Sequence, residues 1–423
     1  MENLCDKLIV EQSPPLKGRV RVGGSKNAVL PIMAASILAD GACTLKDVPC
    51  LSDVEHMELL LEQTGLSIAK DEAAGAVSLK TEGAITAETS YELAGTMRAS
   101  FLAAGPLLAK TGRVRVPLPG GCAIGLRPVD LHLKGFAALG AKIESEHGFV
   151  SMSAKRLKGA DIYLDFPSVG ATENIMMASA LAEGQTVIEN CATEPEVVDL
   201  AGFLNMCGAC VRGAGTDTIR IDGVDKLGGG EYTVIPDRIE AGTLMVAAAI
   251  TRGDVVLENV ISDHLRPVIA KLREAGVEIE ERGTELRVAL PGRQNLKTVD
   301  LKTMPYPGFP TDMQAQFVSL LAFANGTSLV TETVFENRFM HVGELKRMGA
   351  DIKIEGRSAV IEGVKTLAGT SVRATDLRAG AALVLASLRA EGATEISDIH
   401  HIRRGYNGLE DKLCSLGARI RKA

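Results

Sequence analysis

The chain has 423 residues, of which 46 % are hydrophobic and 23 % charged, with a formal net charge of -7. This is the composition of a globular protein with apolar material for two or three domains. The acidic balance and the absence of Trp exclude a base-stacking nucleic-acid binder, no apolar run reaches the ~18 residues of a membrane span, and an anionic substrate would need a local basic cluster.

At the N-terminus, Met1-Glu2-Asn3-Leu4-Cys5-Asp6-Lys7 has neither the basic region nor the apolar segment of a signal peptide. The eight cysteines are sparse for the chain length and suggest no disulfide framework. A reducing cytoplasm is therefore expected.

Along the chain, one signature recurs six times. A helix ending with Leu (Phe136 in one case) four residues before a glycine, and Ile or Val three residues after it, stands at Gly65, Gly140, Gly208, Gly276, Gly349 and Gly417. Each of these glycines is expected to close a helix in the left-handed conformation and open a strand. A second glycine precedes each, at Gly41, Gly112, Gly184, Gly253, Gly326 and Gly392, and upstream of it lies an Ala-rich stretch. These stretches (30–38, 97–108, 175–181, 243–250, 313–323 and 377–388) are apolar nearly all round, which predicts helices buried on most faces. The repeat unit reads as buried helix, Gly, strand, loop, second helix, Gly, strand. Six such units are too long for a solenoid and predict an α/β protein with two domains of three repeats. No G-x-G-x-x-G or G-x-x-x-x-G-K-[ST] opens a helix, which argues against dinucleotide-binding and P-loop folds.

Polar residues gather at two places in the repeat. The first is the start of each buried helix: Ser25-Lys26-Asn27, Arg98-Ala99-Ser100, Ser168-Val169-Gly170, Asp237-Arg238, Thr311-Asp312 and Asp376-Leu377-Arg378. Helix N-termini attract anions. Capping accounts for an Asp there, but not for Lys26, Arg98 or Arg378, whose charge is disfavoured unless an anion is bound. The second place is the loop after the strand. Pro119-Gly120-Gly121-Cys122-Ala123-Ile124-Gly125-Leu126-Arg127-Pro128 sets a cysteine in a Gly-rich loop with an arginine five residues on. That is either a flexible loop with an incidental thiol or a reactive cysteine, since nearby positive charge favours the thiolate. Glu336-Asn337-Arg338-Phe339 and His400-His401-Ile402-Arg403-Arg404-Gly405-Tyr406 occupy the matching places in later repeats. Cys207-Gly208-Ala209-Cys210 is explained as a helix end, and neither it nor His400-His401 has the spacing of a metal site.

Several of these stretches together resemble one family. Lys26-Asn27-Ala28, Arg98-Ala99-Ser100, the Cys122 loop, Arg127-Pro128-Val129-Asp130-Leu131-His132, Pro307-Gly308-Phe309-Pro310-Thr311-Asp312, Glu336-Asn337-Arg338-Phe339, Thr375-Asp376-Leu377-Arg378 and Arg404-Gly405-Tyr406 are similar, in order and across the whole chain, to the UDP-N-acetylglucosamine 1-carboxyvinyltransferases. The resemblance implies the two-domain inside-out α/β barrel of EPSP synthase-like proteins, with 25–233 as an inserted domain, 1–24 and 234–423 as the second, and the active site in the cleft between them. It implies transfer of the enolpyruvyl group of phosphoenolpyruvate to the 3′-hydroxyl of UDP-N-acetylglucosamine, the first committed step of peptidoglycan synthesis. It implies no cofactor, no metal, no nucleic-acid or membrane partner, and a cytoplasmic monomer.

The resemblance also implies residue roles. Lys26, Arg127 and Arg404 match the phosphate and carboxylate contacts of phosphoenolpyruvate, with Arg98, Arg338 and Arg378 as further cations. Cys122 matches the loop cysteine that donates a proton and can carry a covalent adduct. Asp312 matches the base for the 3′-hydroxyl. Asn27, Arg98, Arg127, Pro128, Val129, Asp130, Leu131, Ser168, Val169, Gly170, Asp312 and Val334 match contacts to the nucleotide sugar. One position departs: Phe166 stands where some members carry a lysine. The shikimate-pathway enolpyruvyl transferases share the implied fold but lack the cysteine loop. A non-catalytic nucleotide-sugar sensor should lack Asp312 or the arginines, all of which are present.

Overall fold

The structure, a computed structural model, describes residues 7–71, 74–89, 98–118, 129–290 and 295–423. The loop 119–128, with Cys122, Arg127 and Pro128, lies outside the described residues, as does the side chain of Arg98. The described residues form two compact units, 24–235 in one and 7–23 with 236–423 in the other.

Each unit is built on three central helices. They are Lys26–Ala35, Ala104–Thr111 and Val169–Ser179 in the first, and Arg238–Ile250, Gln314–Leu321 and Leu377–Ser387 in the second. Small and aliphatic residues on all faces let these helices sit inside the unit. In Arg238–Ile250, every residue from Ile239 to Ile250 is buried. Each fully buried Leu, Ile or Val contributes about 1.5–3 kcal/mol, and the two units keep separate apolar cores.

The continuous helix expected over 97–108 is replaced by a 3-10 helix, Arg98–Ala103, followed by the α-helix from Ala104. Pro106 explains the change, because its ring would clash with the carbonyl four residues back in an α-helix. A 3-10 turn, Thr311–Met313, likewise precedes Gln314–Leu321.

Six sheets among the described residues accompany the six helices. The six closing glycines have φ between 92° and 102°, the left-handed region that disfavours a side chain. Each is followed within two residues by an edge strand of its sheet. Strands distant in sequence complete the sheets. Leu8–Glu11 lies antiparallel between Ala393–Ser397 and Arg419–Lys422, with Leu8 opposite Ile396 and Lys422. Lys17–Arg21 pairs in parallel with Asp254–Glu258. These pairings hold the N-terminal segment in the second unit. In the first unit, Gly230–Thr233 returns to pair in parallel with Cys43–Lys46. No helix among the described residues is long and apolar enough to cross a membrane.

Candidate active site

In the first unit, Ser25 caps the helix Lys26–Ala35 by accepting from the Ala28 N–H at 3.4 Å. Lys26 is therefore the first helical residue. Its ammonium is buried and lies 2.6 Å from Asp53 Oδ2, with the two side chains 10 % and 4 % exposed. Asp53 belongs to the first turn of Ser52–Thr64, where a carboxylate suits the helix dipole. A cation at a helix start is thus held beside an anion donated by the next helix. Asn27 follows and is half-buried.

Ser168 caps Val169–Ser179 in the same way, accepting from Ala171 N–H at 3.4 Å, and Ser168, Val169 and Gly170 are all half-buried. Val129 is buried, Leu131 half-buried and Asp130 exposed at the start of Asp130–Ala138. The next residue, His132, stands edge-on to Phe101 at 5.2 Å between ring centres. Its ring also lies 3.1 Å from Asn174, whose amide donates to Phe101 O at 2.8 Å and whose oxygen accepts from Gly105 N–H at 2.8 Å. One buried asparagine thus ties together three elements behind the Ser168–Gly170 turn. Beside it, Glu173 is buried with Oε1 unpartnered. Burial, with the Glu196 and Glu194 carboxylates nearby, pushes its carboxyl well above the usual range. Phe166, at the departing position, is exposed.

In the second unit, the 3-10 turn Thr311–Met313 presents Asp312 between two arginines. Arg338 Nη2 donates to Oδ1 at 2.8 Å, and Arg378 donates to Oδ2 from Nη2 at 3.0 Å and from Nε at 3.3 Å. The guanidinium side chains are 4 % and 2 % exposed, while Asp312 keeps 27 % of its side chain open. Burial opposes ionisation of Asp312, but Arg378 and Arg338 outweigh it and hold the carboxyl far below the usual range. Both arginines also carry a buried Nη1 with no partner. Arg378 is placed by Asp376, which caps Leu377–Ser387 by accepting from the N–H groups of Arg378 and Ala379, each at 2.9 Å.

Glu332 frames this turn. Its carboxylate is buried and accepts from Thr303 Oγ1, Thr311 Oγ1 and Val334 N, each at 2.8 Å, and from Phe335 N at 3.1 Å. It therefore fixes the residue before Asp312 and the half-buried Val334 together. Arg404 is half-buried at the end of the short helix His400–Arg403. Gly405 beside it allows a close approach, since a Cβ there would lie 2.3 Å from Leu377 Cδ1.

Sequence reasoning pointed to Lys26, Asp312, Arg338 and Arg378, and the structure brings the last three into one cluster. It missed Asp53 and Glu332, which lie outside the motifs, and gave no role to Glu173, which stands in the polar helix start 167–174. The Cys207-x-x-Cys210 pair separates: Cys207 is buried with its thiol against that of Cys43, whereas Cys210 donates to Asp222 Oδ2 at 3.6 Å.

The sequence profile described as EPSP synthase (3-phosphoshikimate 1-carboxyvinyltransferase) matches residues 10–413. The chain is 61 % identical to UDP-N-acetylglucosamine 1-carboxyvinyltransferase 1 of Caldanaerobacter subterraneus subsp. tengcongensis, covering 98 % of this chain and 99 % of that one. It is 59 % identical to UDP-N-acetylglucosamine 1-carboxyvinyltransferase 2 of Carboxydothermus hydrogenoformans, covering 99 % of both. The chain belongs to the UDP-N-acetylglucosamine 1-carboxyvinyltransferase family. Among solved structures, the enolpyruvyl transferase NikO from Streptomyces tendae matches with a TM-score of 0.89 at 25 % identity, covering 99 % of both chains. EPSP synthase from Acinetobacter baumannii matches with a TM-score of 0.76 at 22 % identity, covering 99 % of both, and shows the shared fold. The EPSP synthase-like α/β fold that the resemblance implied is thus the fold of this chain.

Proposed function

We infer that the protein transfers the enolpyruvyl group of phosphoenolpyruvate to the 3′-hydroxyl of UDP-N-acetylglucosamine and releases phosphate. The observation that carries this reading is the Asp312 carboxylate clamped by two buried guanidinium groups, in a chain of this family. Addition needs a group that takes the hydroxyl proton as oxygen attacks C2, and an acid that protonates C3. Elimination then expels phosphate and returns the C3 proton. We assign the first role to Asp312. The second goes to Cys122, which can also carry the covalent adduct.

Phosphoenolpyruvate carries about three negative charges, so buried cations must meet it without raising the cost of the empty site. Lys26, Arg98, Arg127, Arg338, Arg378 and Arg404 are proposed for that task. Arg338 and Arg378 each keep an unpartnered buried donor, the kind of group an anionic oxygen satisfies. With the carboxyl of Asp312 held so low, it is a weak base while both arginines grip it. An incoming anion that draws them away would restore its basicity. Asn27, Arg98, Arg127, Pro128, Val129, Asp130, Leu131, Ser168, Val169, Gly170 and Val334 are assigned to the nucleotide sugar. The reading places a monomeric enzyme in the cytoplasm with soluble substrates only.

Phosphate release from phosphoenolpyruvate is the decisive assay. It should depend on UDP-N-acetylglucosamine and be unaffected by shikimate 3-phosphate. No release with the nucleotide sugar would end this reading.

A further inference from the structure

We propose that Tyr406 is a positioning residue for the reaction, fixing Asp312 from behind through Gln316 and Arg378. The proposal rests on the role given to Asp312 above.

Gln316 lies one helical turn beyond Asp312. Its Nε2 donates to the Asp312 carbonyl at 2.9 Å, to Tyr406 Oη at 3.1 Å and to Thr243 Oγ1 at 3.2 Å. Thr243 Oγ1 also donates to Ile239 O at 2.8 Å, which uses its single proton. The 2.9 Å contact between Thr243 Oγ1 and Tyr406 Oη must then have the phenol as donor. Tyr406 therefore accepts from Gln316 and donates to Thr243, while the two N–H protons of Gln316 are shared among three acceptors. Thr243 and Gln316 are fully buried and Tyr406 is 3 % exposed. Burial also pushes the phenol above its ordinary pKa, which keeps the donor proton in place.

The ring has a second use. The Arg378 guanidinium lies over it, 5.2 Å from the centroid, in the range of a cation–π contact. That guanidinium also donates to the Asp312 carboxylate at 3.0 Å. Tyr406 thus reaches both ends of Asp312: the main-chain carbonyl through Gln316, and the carboxylate through Arg378. It joins two central helices, Arg238–Ile250 and Leu377–Ser387, to the turn before a third.

The arrangement carries a cost that stability alone would not favour. Gln316 Oε1 is buried without a partner, and such a group is expensive. Rotating the amide to relieve it would set oxygen against the Asp312 carbonyl. The amide is held in the orientation that grips Asp312.

The test uses the full-length enzyme and the Tyr406→Phe variant, which keeps the ring under Arg378 and removes the hydroxyl. The hydroxyl makes two hydrogen bonds, and only the one from Gln316 leads to Asp312; kcat should therefore fall roughly tenfold, as for that one contact expressed in the transition state, with KM for both substrates within about twofold. In an Asp312→Asn background the same change should have no further effect on the residual rate. A wild-type kcat in Tyr406→Phe overturns the proposal, as does a loss of equal size in the Asp312→Asn background. Retained turnover in Asp312→Asn alone overturns the assignment of Asp312 itself, and the proposal with it. Should Tyr406→Phe fail to fold, Gln316→Met reads the same chain of contacts: the kcat loss is expected there, and a wild-type kcat overturns the proposal.

Discussion

Replacing Asp312 with Asn separates its electrostatic task from its size. The carboxylate answers Arg338 at 2.8 Å and Arg378 at 3.0 Å, both almost fully buried. An amide of the same shape can accept from one of them and turns an N–H toward the other. Removing one partner of a buried ion pair costs about 3–5 kcal/mol. Asp312 is 27 % open to solvent, so water screens part of the loss, and the lower end, about 3 kcal/mol, is the better figure. For a unit of this size that is a fall in Tm of roughly 6–12 °C. The pH dependence has a definite sign. The folded pKa of Asp312 lies far below its unfolded value, so the stabilisation is complete above the unfolded value near pH ~4. It drains away only as the pH falls below that toward the folded value. The gap in stability between wild type and Asp312→Asn should therefore be flat from pH 5 to 8 and narrow below pH 4. Differential scanning calorimetry with chemical denaturation at each pH measures it. Turnover should fall about 10²–10⁴-fold, the usual yield of a positioned base, with KM for the nucleotide sugar little changed. A Tm within one degree of wild type would refute the electrostatic account, and a defect confined to KM would refute the base.

His341 is buried with Nε2 unpartnered, and its pKa is lowered from 6.5 to about 4 by burial, with the Asp376 charge opposing and the Arg338 charge assisting. Between those values the unfolded chain binds the extra proton, so stability should fall by about 3 kcal/mol from this group as pH drops from 7 to 4; urea titration of His341→Gln should show a correspondingly shallower slope, and an unchanged slope would count against a buried neutral imidazole. The cysteines should divide by accessibility: iodoacetamide on the native protein should alkylate the exposed Cys50 and Cys414 and spare Cys43, Cys191 and Cys207, which are buried. Cys122 should be labelled as well, and phosphoenolpyruvate with UDP-N-acetylglucosamine should protect it; peptide mass mapping that finds no such protection would count against its place in the site.

The helical frame was legible because its signals are local. Six glycines at like places in the repeat each need a left-handed backbone, and the Ala-rich stretches can only be buried. Ser25, Ser168 and Asp376 were readable as helix starts because a cap is chemistry within three residues. What was not legible depends on partners far apart in sequence. Nothing near Asp53 marks it as the counter-ion of Lys26, and nothing near Glu332 shows that it gathers Thr303, Thr311, Val334 and Phe335. The pairing of Leu8–Glu11 with strands almost 400 residues away is a matter of register across a sheet, which turn signals do not reach. The break before Ala104 was readable in principle, since Pro106 disfavours the continuous α-helix that the apolar run suggests.

Arg338 and Arg378 show how far a charge rule can be carried. Read from sequence, Arg378 at a helix N-terminus and Lys26 at another each demand an anion, and a substrate is one candidate. The structure shows that the chain supplies the anion itself: Asp312 for Arg378 and Arg338, Asp53 for Lys26. Each carboxylate keeps buried cations charged and placed at a cost lower than isolated burial would impose. On the role proposed for Asp312, a substrate phosphate or carboxylate arriving beside it would meet cations that are already oriented, with unpartnered Nη1 donors on both arginines. It need only compete with, or join, a resident carboxylate. If it draws Arg338 or Arg378 toward itself, the field that holds Asp312 so acidic weakens, and the same carboxylate gains the basicity that hydroxyl attack requires. Binding the anion and preparing the base would then be one event, coupled through two guanidinium groups.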